Sequence, residues 1–264
     1  AASDVYKRQG ISEEEFSKLK ESILDGSPRV DEDTMPGELA NVVAGRVANL
    51  LDLQGPNYTT DAACASAIAA VLDACHLLHS RQVDMMIAGA ADRTMDPATF
   101  AKFSAIGALS PNHSVPFDRR ANGFVMGEGA GALILKRLED ALLDNDRIYS
   151  VIRGIGASSD GRGKGITAPS QRGQIQAINR AYSQAGYDLS SVELIEAHGT
   201  STSVGDATEL ASLAQAYGDS LLPGSVAVGS VKSQIGHLKA AAGLAGILKA
   251  CLLYTSDAAD DFVR

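Results

Sequence analysis

Cysteine is scarce in this chain of 264 residues: Cys64, Cys75 and Cys251 are its three. That is no basis for a disulfide framework, so a reducing cytoplasm is the expected location. Basic residues are outnumbered, with 23 Lys and Arg against 32 Asp and Glu, giving a net charge of −9. A sequence pI near 5.0 argues against nucleic acid as a partner, because that footprint is basic. No apolar run approaches the roughly 18 residues a membrane-crossing helix needs, so no membrane partner is expected. Tryptophan is absent. Short-period repeats and low-complexity segments are absent too. What is there is an ordinary globular balance, 45% hydrophobic and 21% charged, with 26 glycines. The length allows one large domain or two small ones.

The two ends stand apart from the rest. On back-translation "AASDVYKRQ" (1–9) matches a widely used transposon-type sequencing adapter, and "CLLYTSDAAD" (251–260) matches its reverse complement. Residues 1–9 and 251–264 are therefore expected to be adapter-derived, with a native frayed terminus as the alternative. A gene cut at both ends would make the chain a piece of a larger protein.

Between the ends, "SEEE" (12–15) has the form of a capping box and opens a charged helix to about Leu24. "DGSPRVDEDTMPG" reads as a loop, and Pro36 suits the first turn of a helix over 36–51. Asn57–Ala63 is short enough for a strand. An alanine-rich helix is expected at 65–80, a buried strand at 83–91 and a short helix at 97–103. A loop then leads to a glycine-broken strand at 123–138 and a turn of helix at 139–145. A second cycle follows a soft boundary near 150. Its expected strands are 149–161, 192–200 and 225–231. Its expected helices are 171–186, capped by Gly186, 206–217 and one beginning at 239. This alternation predicts an α/β architecture with a largely buried sheet, in a first part over 10–150 and a second over 151–250.

Polar, chemically capable residues gather at three strand-to-helix junctions, where α/β folds place their sites. Cys64 sits at the first. There, unpaired amides and the positive end of a helix dipole would favour its thiolate, and its own amide could help bind an oxyanion. The alternative is a small hydrophobe filling space among alanines. His198 in "EAHGTSTSVGD" (196–206) and His237 in "VKSQIGHLKAAAG" (231–243) occupy the others. Each is a catalytic candidate or a structural histidine. No acidic or cysteine pair at ligand spacing accompanies either, so no metal is expected. "GEGAG" (127–131) fits neither a P-loop nor a dinucleotide fingerprint, and close strand packing is the better reading. "SSDGRGKG" (158–165), with Arg162 and Lys164, reads as a solvated loop. No role falls to His76, His79 or His113.

Four stretches in order then carry a resemblance: "DAACAS", "VPFDRRANGFVMGEGAGALILKRLEDA", "EAHGTSTSVGD" and "VGSVKSQIGHLKAAAGLAGILKA". Together they resemble the motifs of β-ketoacyl synthases, the condensing enzymes of fatty-acid and polyketide assembly, from about Met35 to Ala250. The resemblance implies a thiolase-like αβαβα layered fold, incomplete here at both ends. It implies Cys64 as the acyl-accepting nucleophile and His198 with His237 as the pair acting on a malonyl thioester. Lys232 resembles the family's lysine beside the site, Glu209 its acidic support, and Thr200 and Thr202 its pantetheine-contacting threonines. Phe117 and Asp118 belong to a motif read as structural. No bound cofactor is implied, because loss of the malonyl carboxylate supplies the driving force, and substrates arrive on the phosphopantetheine of an acyl carrier protein. A homodimer is implied for the complete protein.

The motifs also sort the relatives. Thiolases use a second cysteine in the later position, initiating synthases have Asn where His237 stands, and non-catalytic partners lack the nucleophile. An elongating Cys-His-His type remains. "DAACAS" departs from the commoner "DTACSS", and "VGSVKSQIGHLKAAAG" leans towards modular polyketide or polyunsaturated-fatty-acid synthases. The alternatives are a stand-alone fatty-acid elongation enzyme and a catalytically inert fragment or partner subunit. Because opening strands and a distal glycine-rich loop of the family are absent, the 264-residue chain by itself is expected to be marginal in stability and weak in activity.

Overall fold

Ser12 and Glu15 close the predicted capping box. In the computed structural model the Glu15 amide donates to Ser12 Oγ at 3.2 Å, and the Ser12 amide donates to Glu15 Oε2 at 2.9 Å. The structure describes residues 10–25, 30–32, 34–163, 165 and 167–255. The chain divides into two compact units, Ala1–Thr59 and Thr60–Arg264.

The first unit holds α1 (Glu13–Asp25), α2 (Thr34–Glu38) and α3 (Val42–Leu50). The continuous helix expected over 36–51 is thus two helices, and the loop expected through Gly37 contains α2. Gly37 lies within α2, and the break falls at 39–41, between Glu38 and Val42.

The second unit begins with irregular chain, where the sequence predicts a strand over Asn57–Ala63. Its amides go to side chains instead of a ladder: Ala62 N–H donates to Ser66 Oγ at 2.9 Å and Ala63 N–H to Asp61 Oδ1 at 2.8 Å. A single 3-10 turn, Ala63–Ala65, then leads into α4 (Ser66–His79). The small side chains of α4 let it lie close on β1 (Met85–Asp92), and Val71, Ala74 and Ala88 form a core flanked by Cys75, Met86, Leu133, Leu135, Ile155 and Ile247. After α5 (Pro97–Ala105), β2 (Gly129–Lys136) returns antiparallel to β1, from Met85 opposite Lys136 to Asp92 opposite Gly129. The 123–138 stretch is thus ladder only in its second part. Before that, Met126 makes an isolated bridge to His237. α6 (Leu138–Leu143) follows.

The second cycle runs α7 (Gln171–Ala185), β3 (Leu194–Glu196), α8 (Ser203–Tyr217), β4 (Ala227–Gly229), α9 (Lys232–Ile235) and α10 (Ala242–Thr255). Gly186 caps α7 in the left-handed conformation, φ 70°, as its position predicted. β3 and β4 pair in parallel, Ile195 opposite Val228. α7 packs on α8, where the Tyr182 and Tyr217 hydroxyls meet at 2.8 Å. α10 contacts α4, β2 and β3, so two small-residue helices lie side by side with a sheet against each.

Two expectations about the sheets need correction. Among the described residues the ladders are two pairs, one antiparallel and one parallel, rather than one largely buried sheet. β1 and β2 each present a half-open face: Ala88 is the one buried residue of β1, and Ile134 of β2 is 71% exposed. The segment 149–161 forms no ladder either. Gly154 and Gly156 press on α7 so closely that an added Cβ would lie 2.1 Å from the Ala181 and Ala177 carbonyl oxygens. The Ile155 amide donates to the Gln184 side chain at 3.0 Å, where a strand would have used a neighbouring backbone.

Candidate active site

Cys64 lies in the 3-10 turn that opens α4, partly exposed, directly after Ala63 with φ 50°. Ser66 holds the turn by accepting from Ala62 N–H and donating to the Ala63 carbonyl at 2.7 Å. Facing this turn is a second 3-10 turn, Lys239–Ala241, which opens α10. The expectation of a ready thiolate is not met. Burial pushes the Cys64 thiol above its ordinary pKa, and this outweighs the opposing pull of the Lys232 ammonium and the residue's own amide. The resting group is a thiol.

His198 follows β3 and is fixed by its backbone. Both oxygens of Glu209, one turn and a half into α8, accept amides of this loop: His198 N–H at 2.7 Å and Gly199 N–H at 2.8 Å. Glu209 therefore orients the His198 loop as well as sitting in the field of Lys232. Burial pushes its carboxyl up, against those two bonds and that charge. The His198 ring keeps an exposed edge while protein crowds the rest of it. That desolvation, with Lys232 second, pushes its pKa to about 4.

His237 is 1% exposed and belongs to the strand layer by its backbone. Its amide donates to the Val125 carbonyl at 2.8 Å, and its carbonyl accepts from Gly127 N–H at 3.0 Å. Phe124 stands edge-on to the ring, 4.8 Å between centroids. Burial first, then Lys232, His198 and Lys239, push its pKa to about 3. The ring is neutral at physiological pH. Its Nδ1 accepts the Lys239 amide at 3.0 Å, which assigns the ring proton to Nε2. The two histidine rings meet nearly perpendicular, 88°, with centroids 5.6 Å apart.

Lys232 begins α9 and is 4% exposed. Burial lowers its pKa, while Glu209, Glu196 and Cys64 hold it up in that order. Cys64, His198, His237, Glu209 and Lys232 thus share one electrostatic neighbourhood, centred on the Lys232 charge and drawn from the three junctions. Thr200 and Thr202 stand at the start of α8 with their hydroxyls 3.0 Å apart; Thr202, at the N-cap, makes no capping bond with its side chain. Between them Ser201, fully buried, accepts Val115 N–H at 2.9 Å. Asp206 accepts Phe117 N–H at 2.7 Å, and its other oxygen has no partner among the described residues. These bonds tie the 115–118 turn to the threonine loop. Asp118 pairs with Arg120, which holds its carboxyl down at about 2.

Two sequence models of one family match in succession: "Beta-ketoacyl synthase, N-terminal domain" over residues 2–141 and "Beta-ketoacyl synthase, C-terminal domain" over 149–259. The chain belongs to the β-ketoacyl synthase family. A component of the polyunsaturated fatty acid synthase of a Thraustochytrium species is 42% identical over 249 residues, 93% of this chain and 9% of that protein. A component of the phenolphthiocerol/phthiocerol polyketide synthase of Mycobacterium tuberculosis is 43% identical over 234 residues, 88% of this chain and 15% of that protein. Among solved structures, the ketosynthase from module 6 of the Bacillus subtilis bacillaene synthase superposes with a TM-score of 0.79 at 40% identity, over 82% of this chain and 39% of that one. The oxazolomycin ketosynthase domain from Streptomyces albus gives 0.81 at 32% identity, over 89% and 40%. The fold is the thiolase-like α/β fold of ketosynthases, and this chain spans a minor part of each relative's length.

Within this member of the β-ketoacyl synthase family, two features carry no motif of their own in the sequence. Asp92, at the end of β1, forms a buried ion pair with Lys239 at 3.2 Å. Glu196, at the end of β3, accepts the Val231 amide at 2.5 Å and pairs with Lys249 at 2.7 Å. Both acids stand at strand ends, the same signal that singled out the histidine junctions. Two surface concavities, of about 650 Å³ along α7 and about 510 Å³ between β2 and α10, are lined by none of Cys64, His198 or Glu209. The candidate residues sit at the junctions instead. Among the described residues no group of three His, Cys, Asp or Glu is placed to hold a metal, and no helix is long and apolar enough to cross a membrane.

Proposed function

We propose that this ketosynthase catalyses decarboxylative Claisen condensation in polyketide or polyunsaturated fatty-acid assembly. The Cys64 sulfur attacks the carbonyl carbon of an acyl thioester. The bond to the carrier's sulfur breaks, and the thiol proton ends on the departing carrier thiol. Acyl-Cys64 splits one hard step into two easier ones. A malonyl thioester then enters. Its C–C bond to the carboxylate breaks, CO2 leaves, and the electron pair becomes an enolate. Neutral donors suit that oxygen, because they stabilise the developing charge without surrendering a proton to it. His237 is built as one, with its proton held on Nε2. His198, pushed to about 4, is the second neutral ring. The enolate carbon attacks acyl-Cys64, a C–C bond forms, and the Cys64 thiolate leaves, stabilised by the Lys232 charge.

The observation that carries this reading is the pair of neutral rings 5.6 Å apart beside a cysteine turn. The pantetheine arm of a carrier-bound substrate is assigned to the Thr200 and Thr202 hydroxyls. An acyl carrier protein as partner, a homodimer and a cytoplasmic location join the proposal through the family alone. The relatives named above, a polyunsaturated fatty acid synthase and polyketide synthases, support the modular setting over the stand-alone one.

Mass spectrometry of the Cys64 peptide after exposure to an acyl thioester tests it, on the full-length protein beside its Cys64→Ala variant. The expected result is an acyl adduct on Cys64 and none in the variant. A folded protein with no adduct would overturn the condensing role.

A further inference from the structure

The tautomer of His237 depends on one amide, and that amide belongs to an unusual residue. Lys239 has φ 51°, in the left-handed region a lysine rarely adopts. Such a conformation persists only where the surroundings hold it. The side chain of Lys239 is what the surroundings hold. Its ammonium lies 3.2 Å from the Asp92 carboxylate and donates to the Gly127 carbonyl at 2.8 Å, with the Met95 sulfur 4.0 Å away. The two charged side chains are 9% and 15% exposed. Gly127 in turn donates its amide to the His237 carbonyl, and Asp92 is the last residue of β1, paired with Gly129. Asp92 is itself fixed by Thr94 N–H at 2.9 Å. One residue thus carries both an anchored side chain and the N–H that meets His237 Nδ1 at 3.0 Å.

We infer that Asp92 and Lys239 form a positioning pair: their buried contact holds the Lys239 backbone so that its amide keeps His237 as the Nε2–H donor. Neither residue is assigned a contact with substrate; both act through His237. The consequence for catalysis rests on the condensing function proposed above, whereas the consequence for the tautomer does not. On Cys64 the two charges are the smallest influences, Asp92 raising and Lys239 lowering its pKa behind burial, Lys232 and its own amide, so acylation should change little when either is removed.

The test uses the full-length protein with 15N-labelled histidine, the His237 signals being identified by their loss in His237→Asn. In the native protein the His237 nitrogens are expected to report a protonated Nε2 and an accepting Nδ1. Lys239→Met and Asp92→Asn should shift both signals towards averaged values. They should also lower kcat for malonyl-thioester decarboxylation about tenfold or more with KM and Cys64 acylation within about twofold. Lys239→Gly separates anchor from backbone preference, since glycine adopts φ 51° freely but has no ammonium. It should fail as Lys239→Met does. Lys239→Arg, which can keep the ion pair, should recover most of the signal and rate. Should Lys239→Met not fold, Asp92→Asn, a near-isosteric change, carries the test. Unchanged His237 signals in folded Asp92→Asn or Lys239→Gly would overturn the inference, whatever the activity. Native His237 signals without decarboxylation in the unmutated protein would sink the condensing reading alone.

Discussion

Glu209 shows how much of this site is set by backbone bonds. One carboxylate accepts the amides of His198 and Gly199, so removing it leaves two inward N–H groups unpaired and frees the loop that carries the histidine. Glu209→Ala is expected to cost about 2–4 kcal/mol in stability, since bonds to a charged group are worth roughly twice neutral ones. It should also cut malonyl decarboxylation more than acylation of Cys64. Thermal unfolding beside the two half-reactions checks this, and equal losses in both would contradict it. The histidines give a pH prediction with a definite sign. Both rings are assigned as neutral donors, which hold the enolate oxygen without giving up a proton to it, and their pKa values are pushed to about 4 and about 3. Decarboxylation should therefore lose none of its rate to histidine protonation between about pH 8 and about 5, then fall towards about pH 4. A rate halved near pH 6.5, roughly the ordinary histidine value, would contradict the assigned burial. The sequence exposed these residues because each stands in a motif at a strand-to-helix junction. It did not expose the protonation state of Cys64. The dipole argument from position favoured thiolate, and burial, which position alone does not reveal, reversed it.

Helices were more legible than strands. α4 and α7 follow their expected spans within a residue or two, because the alanine-rich run of α4 and the Ser170 and Gly186 caps of α7 are local signals. Strands depend on partners. The 149–161 segment has a strand's composition, yet its glycines lie against α7 and its Ile155 amide is taken by Gln184. That contact makes a sharp prediction. Gly156→Ala would place a methyl 2.1 Å from the Ala177 carbonyl oxygen, so backbone must move. The expected cost is about 3 kcal/mol, at the upper end of overpacking. Gly163→Ala, with no heavy atom within 4 Å of the added carbon, should be close to neutral. Urea unfolding of the two variants side by side measures the difference, and similar midpoints would remove the close-packing argument.

Across the whole molecule the buried neutral histidines tie stability to pH. In the unfolded chain both titrate near 6.5; in the folded one they stay neutral to about 4 and about 3. The unfolded state therefore binds more protons below about pH 6.5, and the histidines' effect is destabilisation that grows as pH falls through that window. Denaturant midpoints should drop between about pH 6.5 and about 4 in the native protein. The drop should be smaller in a variant carrying His198→Gln and His237→Gln; an identical drop would assign acid lability elsewhere. At this scale the two matched family ranges are 2–141 and 149–259, and the compact units divide between Thr59 and Thr60. The sequence by itself determined the family and singled out the candidate groups, because the cysteine, histidines, lysine and threonines each sit in a short motif whose spacing is local. Only the tertiary structure decided which of these groups carry protons and what holds them. Asp92 and the turn at Ala240 are 148 residues apart, and the charge, burial and backbone angle that fix the His237 proton exist only once β1, β2 and the α10 turn are folded together.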